Sequence, residues 1–339
     1  MSYQPSGAAA FALLALLASP LALAQDCELD RPVMFAGLDW DSNRVHNAIA
    51  RHIIEEGYGC RTDAIPGSTI PLLAGMVGGN IDVTMEIWAE NISEAWNEAL
   101  EAGQVKEVGI NYPDAAQGWY VPRYVVEGDP ERGIEPMAPE LRAVSDLPRY
   151  KDLFRDPEVP DKGRFYNCIL GWQCEVHNTK KLEVYGLTDD YTNFRPGTGA
   201  ALSAAIASAY KRGQPILSYY WSPTWVLGVY DMIKLKEPAF DQETWENFLA
   251  DEDPEAAVAY PQIEVLVGAN SRFYDRAPQL IEFLDRYQTT SDLVSELLAY
   301  MQDNNASEQQ AALHFLRTRP EIWYNWVPEE VARRVEDSL

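Results

Sequence analysis

The 339-residue sequence lacks the short signatures of the commonest enzyme classes. It has no GxxxxGK[ST], no HExxH, no GxSxG and no CxxC, so nothing marks it for nucleotide hydrolysis, zinc proteolysis, acyl-enzyme chemistry or dithiol exchange. Histidine is scarce and scattered, at His46, His52, His177 and His314, which leaves no cluster for a metal. No metal and no cofactor is therefore expected. Basic residues are few: 27 against 52 acidic ones, a formal net charge of −25. That balance argues against nucleic acid and anionic membrane surfaces as partners. The acidic residues run along the whole chain and read as a solvated coat suited to high external salt. The one glycine pair before a helix, Gly197 and Gly199 in RPGTGAALSAAI, has Leu202 where a dinucleotide loop needs its third glycine, so it reads as a helix start.

What is present begins with an apolar run, AAAFALLALLASPLALA at 8–24, ending in Ala22-Leu23-Ala24. The run is short for a membrane span and meets the acidic flank DCELD. It reads as a signal peptide over 1–24, cleaved after Ala24, with export to the periplasm. A lipid anchor on Cys27 is disfavoured, because Ala-Gln-Asp precedes it where small residues are wanted. The four cysteines, Cys27, Cys60, Cys168 and Cys174, are an even set in an exported chain and suggest disulfides. Three pairings are open. Closeness favours Cys168 with Cys174, leaving Cys27 with Cys60.

Past the leader, strand-like and helix-like stretches alternate. PVMFAGLDW, CRTDAIP and IDVTMEIW read as strands. SNRVHNAIARHIIEEGYG, with Ser42 as cap, IPLLAGMVGGN and ENISEAWNEALEAG read as helices. The class is α/β with largely parallel strands. Residues 128–163 form an irregular connection, a second α/β run follows, and the last third is mostly helical. The divisions expected are a first lobe over 25–120, a second over 121–229, and a return to the first over 230–339, with a small-molecule cleft between.

Tryptophan carries the functional signal. Trp40, Trp88, Trp172 and Trp221 stand where strands end or loops begin, and in an open α/β fold ligands bind beyond the carboxyl ends of strands. Each alone reads as a packing residue; four converging indoles form a cage. Trp96, Trp225, Trp245, Trp323 and Trp326 are assigned to cores. A cage suits a trimethylammonium group, which has charge but no donated proton, at roughly 0.5–2 kcal/mol per ring contact. A bond between Cys168 and Cys174 would lock the loop that displays Trp172 and limit the ordering cost on binding. The N–H groups of Gln173 and Cys174 would open the next element and face an anion. A betaine carries both charges.

At these residues the chain resembles the substrate-binding proteins of ABC importers for glycine betaine and related quaternary amines. The resemblance covers most of the mature chain. It is strongest in LLAGMVGGNIDVTMEIW, NCILGWQCE and GQPILSYYWSPTW, and the Cys-x5-Cys block with Gly-Trp inside is its most specific part. It implies a two-lobed periplasmic binding protein fold of type II that closes on ligand. It implies a box made by Trp88, Trp172 and Trp221, with carboxylate contacts from the N–H groups of Gln173 and Cys174. One position departs: the family's carboxylate-binding histidine falls on Ile92, with Asn91 beside it as a substitute. The choline-binding branch has a cage tryptophan followed by an aspartate, matched by Trp40 and Asp41; Glu90 and Glu175 are further candidates to balance a cation.

The function expected is capture of glycine betaine or a related quaternary amine and delivery to an inner-membrane ABC permease, as an osmoprotective uptake step by a monomer without enzymatic activity. Choline, carnitine or trimethylamine N-oxide are alternatives within the class. An exported enzyme acting on a methylated amine, or an adhesive protein with core indoles, are alternatives outside it.

Overall fold

In a computed structural model the described residues are Met1 and 27–339, so the expected leader and its cleavage site lie outside them apart from Met1. The strands are β1 (Val33–Leu38), β2 (Thr62–Gly67), β3 (Val83–Ile87), β4 (Val105–Pro122), β5 (Gly163–Tyr166), β6 (Tyr191–Phe194), β7 (Leu217–Ser222), β8 (Met232–Lys234) and β9 (Ile263–Asn270). The helices around the cleft are α1 (Asp41–His52), α2 (Thr69–Gly78), α3 (Ser93–Glu101), α4 (Arg123–Glu127), α5 (Gln173–Val184) and α6 (Gly199–Lys211). The strand order is β2-β1-β3-β9-β4-β7-β5-β6, with β8 pairing β4 off that path.

The expectation of largely parallel strands holds for each flank and fails at the centre. β1 runs parallel to β2 and β3, and β5 runs parallel to β6 and β7, each joined through a helix. The two linking strands are antiparallel to their neighbours. β4 passes through both halves of the fold: its first part, from Val105 to Ala115, pairs with β9, and its continuation pairs with β7 and β8. Residues beyond β8 contact the second half, where Lys181 on α5 meets Glu237, and His177 packs its ring 5.5 Å from that of Trp245. The chain rejoins the first half along β9.

α1 shows how apolar spacing becomes packing. Val45, Ile49 and Ala50 face the core and are buried, as are Phe35 of β1 and Val83 of β3. Burial of each large apolar side chain is worth about 1.5–3 kcal/mol. Ser42 is not the cap that its position suggests: Trp40 holds the N-cap, and Ser42 lies buried in the first turn. α2 ends as expected, with Gly79 in the left-handed conformation. Both disulfides, Cys27–Cys60 and Cys168–Cys174, are formed, and no cysteine is free. Among the described residues no helix is long and apolar enough to cross a membrane.

Two histidines are sealed inside. His46 bonds the Tyr287 hydroxyl at 2.8 Å, and burial lowers its pKa from 6.5 to about 3. His177, ringed by Trp245, Phe248 and Tyr260, also falls to about 3, first through burial and then through the charges of Lys181 and Lys180. Between pH 3 and 6.5 the unfolded chain therefore binds more protons than the folded one. Stability is full above pH 6.5 and falls as the solution is acidified. At about 1.4 kcal/mol per pH unit and site, the pair is expected to cost on the order of 4 kcal/mol at pH 5 relative to pH 7. Urea unfolding at the two pH values measures this, and His46→Gln should roughly halve the pH dependence; an unchanged slope would remove His46 from the account.

Candidate functional site

The cleft is built from the ends of elements. Trp40 follows β1, Trp88 follows β3, Trp172 precedes α5 and Trp221 lies on β7. The first two belong to one half of the fold and the last two to the other. All four line one open space, together with Leu38, Met76 and Ile87. The Trp172 ring stands nearly perpendicular to two others: its centroid lies 5.8 Å from that of Trp40 at 83° and 5.1 Å from that of Trp221 at 88°. Perpendicular rings present faces to a common space instead of stacking it shut. The structure thus brings together the four indoles singled out in sequence. Of the five assigned to cores, all are buried, although Trp225 also lines an adjoining opening.

The Trp172 loop explains its cysteines and glycines. Gly171 sits at φ +95°, a region L side chains rarely adopt, between the bonded Cys168 and Cys174. Gly199 at the start of α6 lies under the indole: a Cβ there would be 2.9 Å from Trp172 Cη2. Trp172 is the N-cap of α5 and supplies no side-chain cap, so the first amides of that 12-residue helix are left to other acceptors. Gln173 and Cys174, which carry two of them, both line the cleft. This end of the site is positively polarised by the helix dipole.

The lining also holds an uncharged polar group of side chains. Gln117 of β4 donates to Asn91 Oδ1 at 3.1 Å and accepts the Tyr219 hydroxyl at 2.6 Å. Ile92 is buried in the lining, where the resemblance would have a histidine. Asp41 lines the adjoining opening, not the caged space, and is exposed 3.8 Å from Arg44. Glu90 is absent from the lining; its carbonyl accepts the Trp245 indole N–H. Glu175 is paired with Arg195 at 2.5 Å.

Two acids missed in sequence touch the indoles directly. Glu86 on β3 is buried and lines the cleft; its Oε2 accepts the N–H of Trp40 at 2.6 Å and of Trp88 at 3.1 Å. Asp39 accepts the Trp172 N–H at 2.5 Å, a bond from one half of the fold to the other. Three of the four indoles are thus held by carboxylates. A signal existed for Glu86: it is the one charged residue in VTMEI, a strand placed between two others and buried at every position.

The model of the substrate binding domain of ABC-type glycine betaine transport systems matches residues 31–318. The glycine betaine/proline betaine-binding periplasmic protein of Escherichia coli K12 is 26% identical over 194 residues, 55% of this chain and 58% of that protein. The glycine betaine-binding periplasmic protein of Dickeya dadantii 3937 is 25% identical over 154 residues, 45% of this chain and 43% of that one. The chain spans about half the length of the curated relatives it matches. Among solved structures, a glycine betaine/L-proline-binding protein of an ABC transporter from Borrelia burgdorferi superposes with a TM-score of 0.69 at 19% identity, covering 90% of this chain and 100% of that one. A choline binding protein in complex with choline gives 0.68 at 17%, covering 91% and 97%. A lactococcal protein, closed on glycine betaine, gives 0.68 at 16%, covering 88% and 100%. These three share the two-lobed fold.

Proposed function

The chain belongs to the family of substrate binding domains of ABC-type glycine betaine transport systems, and from that premise we propose that it captures glycine betaine or a related quaternary amine between its lobes and delivers it to a membrane permease. The observation that carries this reading is the convergence of Trp40, Trp88, Trp172 and Trp221 on one space that also meets the start of α5. The indole faces would hold the trimethylammonium group by cation–π attraction in a site shielded from water. The N–H groups of Gln173 and Cys174 would take the carboxylate. With Ile92 in the lining, the Asn91–Gln117 amide pair is the remaining polar partner for that end.

The protein's part is binding and release; transport energy would come from an ATPase on another chain. Two disulfides suit an oxidising compartment, and relatives of similar sequence are named periplasmic proteins, which supports a periplasmic location; that the protein acts as a monomer on an inner-membrane permease is part of the same proposal. Isothermal titration of the mature protein with glycine betaine, choline and trimethylamine N-oxide tests the reading. Saturable heat with at least one, and an unchanged ligand mass afterwards, is expected. No heat with any of them would end the methylamine assignment, and turnover would move the protein to the enzymes.

A further inference from the structure

We propose that Glu86 is the residue by which the cleft selects for a permanent positive charge, so that ligand choice depends on the ammonium charge rather than on the shape of three methyl groups. The inference rests on the methylamine reading above and deepens it.

A carboxylate in the middle of a sheet is expensive unless it is satisfied. Glu86 lies on β3 between β1 and β9, in a strand buried throughout. Its donors are the neutral side chains of Trp40 and Trp88 at Oε2, with the hydroxyls of Ser42 and Tyr112 as its next neighbours. None of these brings a positive charge, so burial holds the Glu86 pKa above the usual carboxylate range, against the pull of the hydrogen bonds it accepts, and an arriving ligand cation would favour its ionised form. The other oxygen, Oε1, is buried and completes no hydrogen bond of good geometry. The residue lines the same space as the four indoles. The cage lining thus includes an acid that no cation among the described residues pairs, held directly behind two of the indoles that would meet a ligand cation.

The indole bonds give the acid a second route to the ligand. An N–H donated to a carboxylate strengthens as the acceptor becomes charged, and it pushes electron density into the ring. The faces of Trp40 and Trp88 become more negative, which deepens their attraction for a cation. A tert-butyl group fills the same volume as trimethylammonium and gains nothing from either effect. An aromatic box alone would accept both with a smaller difference.

Two ligand pairs differ only in that charge: glycine betaine against 3,3-dimethylbutanoate, and choline against 3,3-dimethylbutan-1-ol. Calorimetry of the mature protein should show the ammonium member binding on the order of 100-fold or more tightly in whichever pair the cleft accepts. In Glu86→Gln, which keeps the shape and an acceptor oxygen, that ratio should fall by about tenfold or more, chiefly through weaker binding of the ammonium. A variant with the wild-type ratio overturns the proposal, even where absolute affinities have dropped, because a structural role would weaken both members alike. The wild-type protein gives a test that needs no variant to fold: an isostere that binds as tightly as its ammonium partner overturns it too. Should no ammonium ligand bind the wild type, the methylamine reading falls and this inference with it; loss of the inference alone is the case where ammonium binds and Glu86→Gln keeps the ratio.

Discussion

Trp172→Ala is expected to weaken ligand binding by at least about 100-fold, the largest effect of any single truncation in the cleft. Three contributions meet at this residue. Its ring contacts Trp40 and Trp221 at right angles, so removing it opens two sides of the box to water. Its N–H bonds Asp39 across the cleft, so the bond between the halves goes with it. Its place at the head of α5 ties the ring to the amides of Gln173 and Cys174. Trp172→Phe restores a face without the N–H and should recover part of the loss. Calorimetry with the ligand that binds the wild type, beside a thermal melt to verify folding, measures both. A well-folded Trp172→Ala protein with wild-type affinity would return this indole to the core.

Lys181→Ala is expected to cost about 3–5 kcal/mol of stability. The ammonium group is fully buried, 2.6 Å from Glu237 Oε1 and 2.7 Å from the Val258 carbonyl, and lies 4.0 Å from the Tyr260 ring centroid. Tyr185 also donates to Glu237, at 3.0 Å. The cost comes from what remains: a carboxylate in the interior with its cation gone. Replacing both partners with apolar residues, Lys181→Met with Glu237→Leu, should therefore recover most of the loss. Urea unfolding of the two proteins tests this. A double variant as unstable as the single one would mean that the contacts of Lys181 itself, not the stranded charge, hold the segment beyond β8 onto α5.

That the four indoles come together in one lining was legible because each stands at a strand end or helix start, positions that local pattern marks. The polar groups around them were not. Glu86, Gln117 and Tyr219 lie on strands, and whether a strand residue faces a core or a cleft depends on which strands flank it. β3 illustrates the limit: its alternation is invisible because both faces are covered. β4 escaped notice as one 18-residue strand because Gly109, Pro113 and Asp114 interrupt its pattern; in the fold they coincide with shifts of register against β9. β9 itself sits in a region that reads as helical overall. Ser42 has the residue type of a cap, yet the N-cap is Trp40, two residues earlier, whose indole donates to Glu86, 46 positions away. The pairing of the cysteines followed from closeness in the chain and is the one formed.

The strand order sets a timetable for synthesis. β9 lies between β3 and β4, yet it is translated after everything in the second half. When β3 has emerged, its partner strand is still about 180 residues from being made, a wait of roughly 10–40 s at ordinary elongation rates. Throughout that interval one edge of β3 has no partner, and an unpaired apolar edge invites other chains. In the second half the wait is shorter: β4 meets β7 after about 95 residues, and β5 and β6 adjoin in the chain. The nascent first half is thus the part whose strand edge stays open longest, and its last missing strand is delivered only after the rest of the cleft exists.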